Sequence, residues 1–272
     1  MRGLTRPASP QVPDRVLHAA SAGWVAAIGL ATVLLWGFAD VWWPATVLLF
    51  GPRWVLLLPA LVLIPWAALR DRDWLLPLVA AAAVGLGPLV GLRTGIRSLL
   101  PAGEGASLRV ATLNAWGGDS VEPLARMLAA WNADVVVLQE CGGRLREQVR
   151  AQSVPGSPIS VHVDASLCLV SRLPLIESTA MERDAFELAG GSALVHSYML
   201  DWAGDTIAVT NVHLETQREG LELIRSGRLT QAIPRLKQKS LLRSIEHRVA
   251  RRWAESHGHP AVVAGDFNTP PE

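Results

Sequence analysis

The chain has 272 residues, with 25 Lys and Arg against 24 Asp and Glu and a formal net charge of +1. Half of its residues are hydrophobic and only 18% are charged, whereas soluble domains carry about 25% charged residues. The charge balance argues against both a nucleic-acid-coating protein and a strongly acidic one. The hydrophobic excess lies almost wholly before residue 95, so the chain divides into an apolar N-terminal region and a more ordinary remainder.

Three apolar stretches near the N-terminus predict transmembrane helices. They cover residues 21–39, 53–69 and 73–92, and each is close to the roughly 20 residues that cross about 30 Å of hydrocarbon. Tryptophans cluster near the predicted ends, as in an interfacial belt: Trp36, Trp42, Trp43, Trp54, Trp66 and Trp74. The alternatives are a buried helical core in a soluble domain and a cleavable signal peptide for the first stretch. We expect a cytoplasmic tail at 1–20 and a membrane domain at 21–92.

Basic residues predict the orientation in the membrane. They precede the first span and separate the second from the third, whereas the first loop carries only Arg53 at its edge. This bias places the N-terminus in the cytoplasm. Three crossings then place the chain after Leu92 on the extracytoplasmic side of a cell membrane, as part of a multi-pass protein. Arg93, Arg97 and Arg109 oppose the bias.

The remainder of the chain alternates strand-like and helix-like segments. Residues 93–107 are rich in Gly, Ser and Pro and predict a short linker that keeps the next domain near the membrane. Strands are predicted within 107–115, 133–140, 166–178, 192–202, 206–215 and 260–265, and helices within 120–132 and 228–255. The run at 133–140 is continuously apolar, which indicates a strand covered on both faces. The pattern favours an α/β or α+β layered domain.

Two further features have simple interpretations. Cys141 and Cys168 are too few for a disulfide framework, and we predict that they are two small buried hydrophobic side chains. The helix at 228–255 is rich in Arg and Lys and could attract a nucleic acid. It offers no interleaved aromatic residues for stacking, so the solvated face of an amphipathic helix is the favoured interpretation.

Polar residues recur where the apolar strands end. Asn114, Glu140, His213, Asp266 and Asn268 each follow such a run. Strand ends of layered sheets are common places for sites, because strands hold side chains rigidly while the ends stay open to ligands. Carboxylate, amide and imidazole groups without a thiol cluster indicate a hard cation such as Mg²⁺ acting on a phosphate.

Five motifs in order carry a resemblance to a known family. They are "TLNAW", "DVVVLQE", "SRLPL", "TNVHLE" and "GDFN". Residues 108–272 thereby resemble the endonuclease/exonuclease/phosphatase superfamily, which includes deoxyribonuclease I. The apolar N-terminus makes the chain similar to the membrane-anchored bacterial branch that includes the glycopeptide-resistance protein VanJ. The resemblance implies an α/β fold made of two packed sheets, with the site at one edge.

The resemblance also implies roles for the strand-end residues. Glu140 matches a metal-binding glutamate, and Asn114 matches an active-site asparagine that helps to place the metal and the phosphate. Asp266 matches the aspartate that orients or deprotonates the attacking water. His213 and Asn268 match residues that contact the phosphate. The implied cofactor is Mg²⁺, with Mn²⁺ or Ca²⁺ as alternatives, and the implied substrate is a phosphomonoester or phosphodiester.

Two departures from the family pattern qualify these expectations. Many nuclease members carry Asp where this chain has Trp116, which weakens a DNA-repair-like interpretation. Family domains continue past the "GDFN" position to a terminal Asp-His pair, often "SDH", which this sequence lacks. We therefore expect a C-terminally incomplete domain. The leading hypothesis is a membrane-anchored phosphoesterase acting on a lipid-linked or extracytoplasmic phosphate, and the alternative is an inactive membrane protein that retains the scaffold. The sequence leaves the oligomeric state open.

Overall fold

The structure, a computed structural model, describes residues 12–39, 41–92, 107–117, 124–154, 156–188 and 190–269. The chain divides into two compact units, with the boundary between residues 102 and 103. The first eleven residues of the predicted tail and nearly all of the predicted linker lie outside the described residues, as does the predicted helix start at Ser120.

The N-terminal unit is helical. Its α-helices are α1 (Val12–Phe38), α2 (Trp43–Phe50), α3 (Ala60–Arg70) and α4 (Leu75–Val84). Short 3-10 segments precede α3 and α4, and a π-helical turn follows α4; they cover Arg53–Leu57, Arg72–Trp74 and Gly85–Leu89. Three helical segments are long and apolar enough to cross a membrane by length and composition, namely Asp14–Phe38, Arg53–Arg70 and Arg72–Leu89. Helix α1 begins before the predicted start at Ser21, and α2 was not predicted.

The helices of this unit pack on one another but leave much apolar surface outside. Leu17, Leu49 and Leu78 are almost completely buried in the shared core. In contrast, Leu61 is 73% exposed and Leu76 is 79% exposed. Water-soluble proteins rarely expose large contiguous apolar patches, so this surface is suited to an apolar environment.

The second unit contains two four-stranded sheets. The first sheet has the order β1-β2-β4-β3 and the second has the order β5-β6-β7-β8. The strands are β1 (Val110–Asn114), β2 (Val135–Gln139), β3 (Ser160–Asp164), β4 (Leu167–Ser171), β5 (Leu175–Ala180), β6 (Leu194–Trp202), β7 (Asp205–His213) and β8 (Ala261–Asp266). The pairs β1/β2 and β7/β8 are parallel, and the other neighbours are antiparallel.

Strand β2 shows how the layers are assembled. All of its residues are buried, and alternate side chains point to opposite faces because the strand period is two residues. Val135 and Val137 pack against Tyr198 in the second sheet. Val136 packs on the other face, in the cluster that includes helices α5 (Leu124–Trp131) and α6 (Gly143–Arg150).

Three more helices complete the unit. They are α7 (Asp184–Leu188), α8 (Arg218–Arg225) and α9 (Leu229–Ser256). Phe186 of α7 and Ala250 of α9 pack against Val195 and Val212 on the outer face of the second sheet. The unit is therefore a helix–sheet–sheet–helix sandwich, and the predicted mixed α/β fold with two packed sheets is confirmed.

Two local predictions were wrong. The single strand expected at 166–178 is two strands, β4 and β5, which lie in different sheets on either side of Pro174. The cysteines are not two separate buried thiols, because Cys141 and Cys168 form a disulfide with a Cα–Cα distance of 6.0 Å. Antiparallel pairing of β2 with β4 sets Leu138 beside Cys168 and brings Cys141 within bonding reach. Strand β3 and helices α6, α7 and α8 were not predicted.

Candidate active site

Two parallel strand pairs bring the predicted residues together. Asn114 ends β1, and Glu140 directly follows β2, its parallel neighbour. His213 ends β7 and is the register partner of Asp266, which ends β8. Because parallel strands end at the same edge of a sheet, each pair lies side by side. All four, together with Asn268, line one cavity of about 340 Å³.

Asn114 joins the two carboxylates of this cavity. Its Nδ2 donates to Glu140 Oε1 at 2.9 Å and to Asp266 Oδ2 at 2.8 Å. Its Oδ1 accepts a hydrogen bond from the backbone N of Trp116 at 2.9 Å. His213 Nε2 lies 3.7 Å from Glu140 Oε1. The Asn114 amide thus links the first sheet to the second sheet within the cavity.

Asp266 and Asn268 form a second small network. The backbone N of Asn268 donates to Asp266 Oδ1 at 2.8 Å, so each oxygen of that carboxylate has a partner. Asn268 Nδ2 donates to the carbonyl of Leu214 at 2.6 Å, and Arg243 Nη1 donates to the carbonyl of Asn268 at 3.0 Å. These contacts fix the orientation of the Asp266 carboxylate in the cavity.

Gly265 allows β8 to approach β7 closely enough for this arrangement. Its φ is +148°, and a Cβ at this position would lie 2.0 Å from the carbonyl oxygen of Val212. No side chain fits at that distance, and the backbone conformation itself favours glycine. The glycine of the "GDFN" motif therefore has a structural reason: it sets Asp266 beside His213.

The backbone around the cavity is locally unusual. Among the described residues, six non-glycine residues have positive φ, and three of them line this cavity: Trp116 (+46°), Glu140 (+48°) and Asn268 (+50°). Such conformations cost on the order of 1 kcal/mol or more each and cluster at functional sites, where the surrounding structure maintains them.

A hydrogen-bonded pair of buried amide side chains, Gln139 and Asn211, lies next to Glu140. Gln139 and Asn211 are almost completely buried, and Gln139 Nε2 donates to Asn211 Oδ1 at 2.6 Å. Asn211 Nδ2 in turn donates to the carbonyl of Leu138 at 3.0 Å. Because both amides lie within apolar runs of the sequence, only their polar character among hydrophobic neighbours could have indicated this pairing.

Helix α9 supports the other side of the cavity. Glu246 is completely buried and accepts hydrogen bonds from the backbone N of Glu215 at 2.8 Å and of Ala193 at 3.3 Å. Burial raises the pKa of Glu246, and these backbone donors oppose the rise. Lys239 lies 3.0 Å from the Glu215 carboxylate. Since Lys239 and Arg243 are buried, the interpretation of the basic stretch as a solvated face is wrong for these two residues.

The mouth of the cavity contains residues that were not predicted as site residues. Ser192, Thr216 and Arg218 line it together with Trp116. The Arg218 guanidinium carbon lies 4.5 Å from the Trp116 ring centroid, a cation–π contact. Trp116 stood out in the sequence only as a departure from the family pattern, and Arg218 had no motif to mark it.

The donor set of the cavity fits a hard divalent cation. Within the described residues no group of three or more His, Cys, Asp or Glu side chains is placed to hold a metal ion. Mg²⁺ requires fewer, because it commonly takes one or two carboxylates and keeps several waters. Glu140 supplies one such carboxylate, and the Asp266 carboxylate shares the same Asn114 amide. The assignment of Glu140 and Asn114 as metal ligands stays a prediction.

Comparison with known families identifies the second unit. The model of the Endonuclease/Exonuclease/phosphatase family matches residues 111–272, more than half of the chain. The chain belongs to this family. Membership supports a hydrolase of phosphoric esters, and enzymes of this family generally depend on a divalent metal.

Solved structures with a detectable likeness are distant. TDP2 of D. rerio, complexed with single-strand DNA product, is 18% identical with a TM-score of 0.43 over 60% of this chain and 61% of that one. A family protein of Leptotrichia buccalis is 13% identical, with a TM-score of 0.35 over 60% and 67%. ANGEL2, a 2',3'-cyclic phosphatase, is 15% identical, with a TM-score of 0.39 over 60% and 54%.

These likenesses are limited in extent. The chain spans 61% of the length of the D. rerio protein and 54% of ANGEL2. No curated protein matches the chain. The placement within a membrane-anchored branch and the expected C-terminal incompleteness stay predictions.

Proposed function

We propose that this chain is a membrane-anchored, metal-dependent phosphoesterase that hydrolyses its substrate by in-line attack of water. The observation that carries the proposal is the Asn114 amide, which bridges the Glu140 and Asp266 carboxylates in one cavity. His213 and Asn268 line the same cavity. A bound phosphate there would face carboxylates for the metal and the water, and an imidazole and an amide for its own oxygens.

The protein groups have distinct roles in this proposal. Asp266 holds the attacking water and accepts its proton, since its carboxylate orientation is fixed by Asn114 and by the backbone of Asn268. His213 and the Asn268 amide donate to the phosphate oxygens, where negative charge develops during the reaction. Positioning and electrostatic stabilisation account for most of the catalysis in phosphoryl transfer, and a preorganised network supplies both.

Glu140 and Asn114 would hold the metal, with Mg²⁺ as the first choice and Mn²⁺ or Ca²⁺ as alternatives. When bound, such a cation neutralises charge on the phosphate and stabilises the leaving oxygen. Glu140 is suited to this role because its positive φ of +48° turns it out of the apolar strand toward the cavity. The disulfide at the next residue, Cys141, anchors that turn to β4.

Membrane anchoring is supported by the three segments of spanning length and by the exposed apolar surface of the first unit. The disulfide supports an extracytoplasmic catalytic unit, because such bonds persist in oxidising compartments. Residues 93–107 span at most about 50 Å even when fully extended, so the catalytic unit stays near the membrane.

A lipid-linked phosphate is the substrate class favoured by this anchoring, because a short tether keeps the catalytic unit beside the membrane. Nucleic acid is less favoured, because two of the cations of α9, Lys239 and Arg243, are buried in internal contacts. We expect faster hydrolysis of a lipid phosphate presented in vesicles than of a soluble diester at equal phosphate concentration. A preference for soluble diesters would contradict this part of the proposal.

The proposed activity is tested with the full chain and bis-p-nitrophenyl phosphate. We expect p-nitrophenol release that requires Mg²⁺ and is abolished by a chelator. Glu140→Ala should lower the rate by about 100-fold or more, whereas Glu147→Ala, a change at an exposed position on α6, should leave the rate unaltered. Equal rates for wild type and Glu140→Ala would overturn the metal assignment. No hydrolysis of either soluble or vesicle-bound substrate would favour the inactive scaffold instead.

A further inference from the structure

Arg218 and Trp116 form a pair at the mouth of the cavity that the proposed chemistry does not use. The guanidinium carbon of Arg218 lies 4.5 Å from the centroid of the Trp116 ring, and both residues line the cavity of Asp266 and Glu140. Trp116 is 68% exposed.

The backbone of Trp116 is tied to the catalytic residues. Its N donates to Asn114 Oδ1 at 2.9 Å, and the N of the following Gly117 donates to the carbonyl of Glu140 at 3.1 Å. Its φ is +46°, which a non-glycine residue adopts only where neighbours maintain it. The backbone that carries the ring is therefore held by Asn114 and by the carbonyl of Glu140.

Contact with an aromatic ring orients the guanidinium of an arginine for anion binding. The guanidinium is planar, so contact with an aromatic face leaves its N–H groups directed outward in the guanidinium plane. Those N–H groups match the oxygens of a phosphate as a two-pronged fork. Arg218 is the only Arg or Lys among the residues that line the described cavity, so it is the permanent positive charge available there to an anionic ligand.

The cavity also has room beyond one phosphoryl group. Its volume is about 340 Å³, within the range of roughly 300–1,000 Å³ that is typical of small-molecule sites. Asp266, His213 and Asn268 account for the reacting phosphate in the proposed function. Arg218 and Trp116 then remain for a part of the substrate that does not react.

We propose that Arg218, held by Trp116, is a second anion subsite that binds a non-reacting phosphoryl group next to the scissile one. The preferred substrate class is accordingly a diphosphate ester rather than an isolated phosphodiester. This inference rests on the proposed function, because the scissile group must occupy the Asp266 side of the cavity. Arg218 acts here as a specificity-determining residue.

The test compares methylenediphosphonate with methylphosphonate as competitive inhibitors of bis-p-nitrophenyl phosphate hydrolysis by the full chain, at one fixed concentration of free Mg²⁺. Wild type should bind the diphosphonate more tightly. Arg218→Ala should weaken diphosphonate binding by about 10-fold to 100-fold, as expected for the loss of a hydrogen bond between charged groups. Its effect on methylphosphonate should be at least tenfold smaller. Arg218→Lys should recover only part of the loss, because an ammonium lacks the planar fork.

Three further variants sharpen the result. Trp116→Phe should retain most of the selectivity, and Trp116→Leu should lose it, because only the first keeps an aromatic face for Arg218. Arg225→Ala, at the exposed end of the same helix, should leave the selectivity unaltered. Equal losses for both inhibitors in Arg218→Ala would show that Arg218 contacts the scissile phosphate, and a matching loss in Arg225→Ala would show a general charge effect. Either result overturns the subsite.

The subsite remains testable if the catalytic proposal fails. Should the wild type not hydrolyse the diester, calorimetric titration of methylenediphosphonate into the full chain at the same free Mg²⁺ measures the same affinity. Binding that weakens in Arg218→Ala but not in Arg225→Ala would support the anion subsite on a non-catalytic scaffold. Equal binding by wild type and Arg218→Ala would overturn it.

Discussion

The amide nitrogen of Asn114 lies 2.8 Å from the Oδ2 of Asp266, although the two residues are 152 positions apart in the sequence. The contact joins the end of β1 in the first sheet to the end of β8 in the second. The same nitrogen also holds Glu140 Oε1 at 2.9 Å. A single donor therefore orients both carboxylates and reduces the repulsion between them.

Removal of this donor should impair catalysis more than folding. We expect Asn114→Ala to lower kcat/KM for bis-p-nitrophenyl phosphate by about 100-fold to 1,000-fold, as for the loss of a preorganised donor. The thermal unfolding midpoint should fall by only a few degrees. Gln231→Ala, which removes an exposed amide side chain on α9, is the matched control. A variant with near wild-type kcat/KM would show that Asn114 does not organise the site.

Gly265 should tolerate no side chain. Gly265→Ala places a Cβ 2.0 Å from the carbonyl oxygen of Val212 and imposes a backbone conformation that alanine disfavours. We expect a loss of about 2–5 kcal/mol in the free energy of unfolding from the combined strain and overpacking.

Gly204→Ala separates the two causes of this loss. Gly204 has a φ of +90°, and an added Cβ would meet nothing within 4 Å. Its substitution should cost only the conformational part, about 1 kcal/mol. Urea unfolding of both variants measures the difference, and equal losses would mean that the close approach of β8 to Val212 is unimportant.

The buried carboxylate of Glu246 should position the loop after β7. Glu246→Gln keeps the size of the side chain but sets an amide against the backbone N of Glu215 and of Ala193. We expect about 1–3 kcal/mol of destabilisation, because buried donors lose an anionic acceptor. Activity should fall as well, since the adjoining Leu214 carbonyl holds Asn268. Glu255→Gln, which changes an exposed partner of Arg251, is the control and should lower neither the stability nor the activity. Equal effects of the two substitutions would contradict the positioning role of Glu246.

The disulfide should make a large contribution to stability. Cys141 and Cys168 are 27 positions apart, and closing a loop of that length stabilises a fold by about 3–4 kcal/mol in the chain-entropy model. The double variant Cys141→Ser, Cys168→Ser should lose that amount in denaturant unfolding. A reductant should lower the stability of the wild type after unfolding and refolding and leave the variant unaffected. An equal response of the two proteins to reductant would argue against a disulfide.

A pair of histidines, one buried and one partly buried, should make stability depend on pH. His162 and His196 have ring centroids 4.6 Å apart, and His196 stacks on Tyr198 and lies 3.2 Å from Asp164. Burial lowers the pKa of His162, and burial together with the charge of His162 lowers the pKa of His196. The unfolded chain therefore binds protons at a higher pH than the folded chain does. The stability that the neutral histidines contribute is present above about pH 6.5 and is lost as the pH falls below that value.

The prediction is checked by thermal unfolding at pH 7.5 and pH 5.0. Wild type should lose more stability on acidification than the double variant His162→Asn, His196→Asn. His259→Asn, at an exposed position, should behave like wild type. Should acidification cost the double variant as much as the wild type, the pair would not be the source of the pH dependence.

Much of the candidate site could be anticipated from local pattern. Glu140 follows an uninterrupted apolar run, and Asp266 follows another, so each strand end was recognisable from composition alone. The strands of the β6–β7 hairpin were also recognisable, because the predicted strands at 192–202 and 206–215 flank a short turn at Ala203. Strand β3 was missed, because a short edge strand with a mixed pattern does not differ locally from a loop.

Other features depend on distant parts of the chain. The Cys141–Cys168 bond follows from the pairing of β2 with β4, which no local pattern shows. Arg218 was missed because nothing in its own neighbourhood indicates that its guanidinium contacts the ring of Trp116. Lys239 was predicted to be solvated because charged residues on a long helix usually are. In the structure it is buried beside the carboxylate of Glu215, which lies on another segment.

By itself, the sequence determined the apolar N-terminal helices, the layered α/β character of the rest and the identity of the groups that could carry out phosphoryl chemistry. These depend on periodicity and residue type, which are local properties. Only the tertiary structure decided which groups meet: the Asn114 bridge between Glu140 and Asp266, the buried support from Glu246 and the cation–π contact of Arg218 with Trp116. The reason is physical, since contacts between different segments of the chain are set by how two sheets pack and in which register their strands pair.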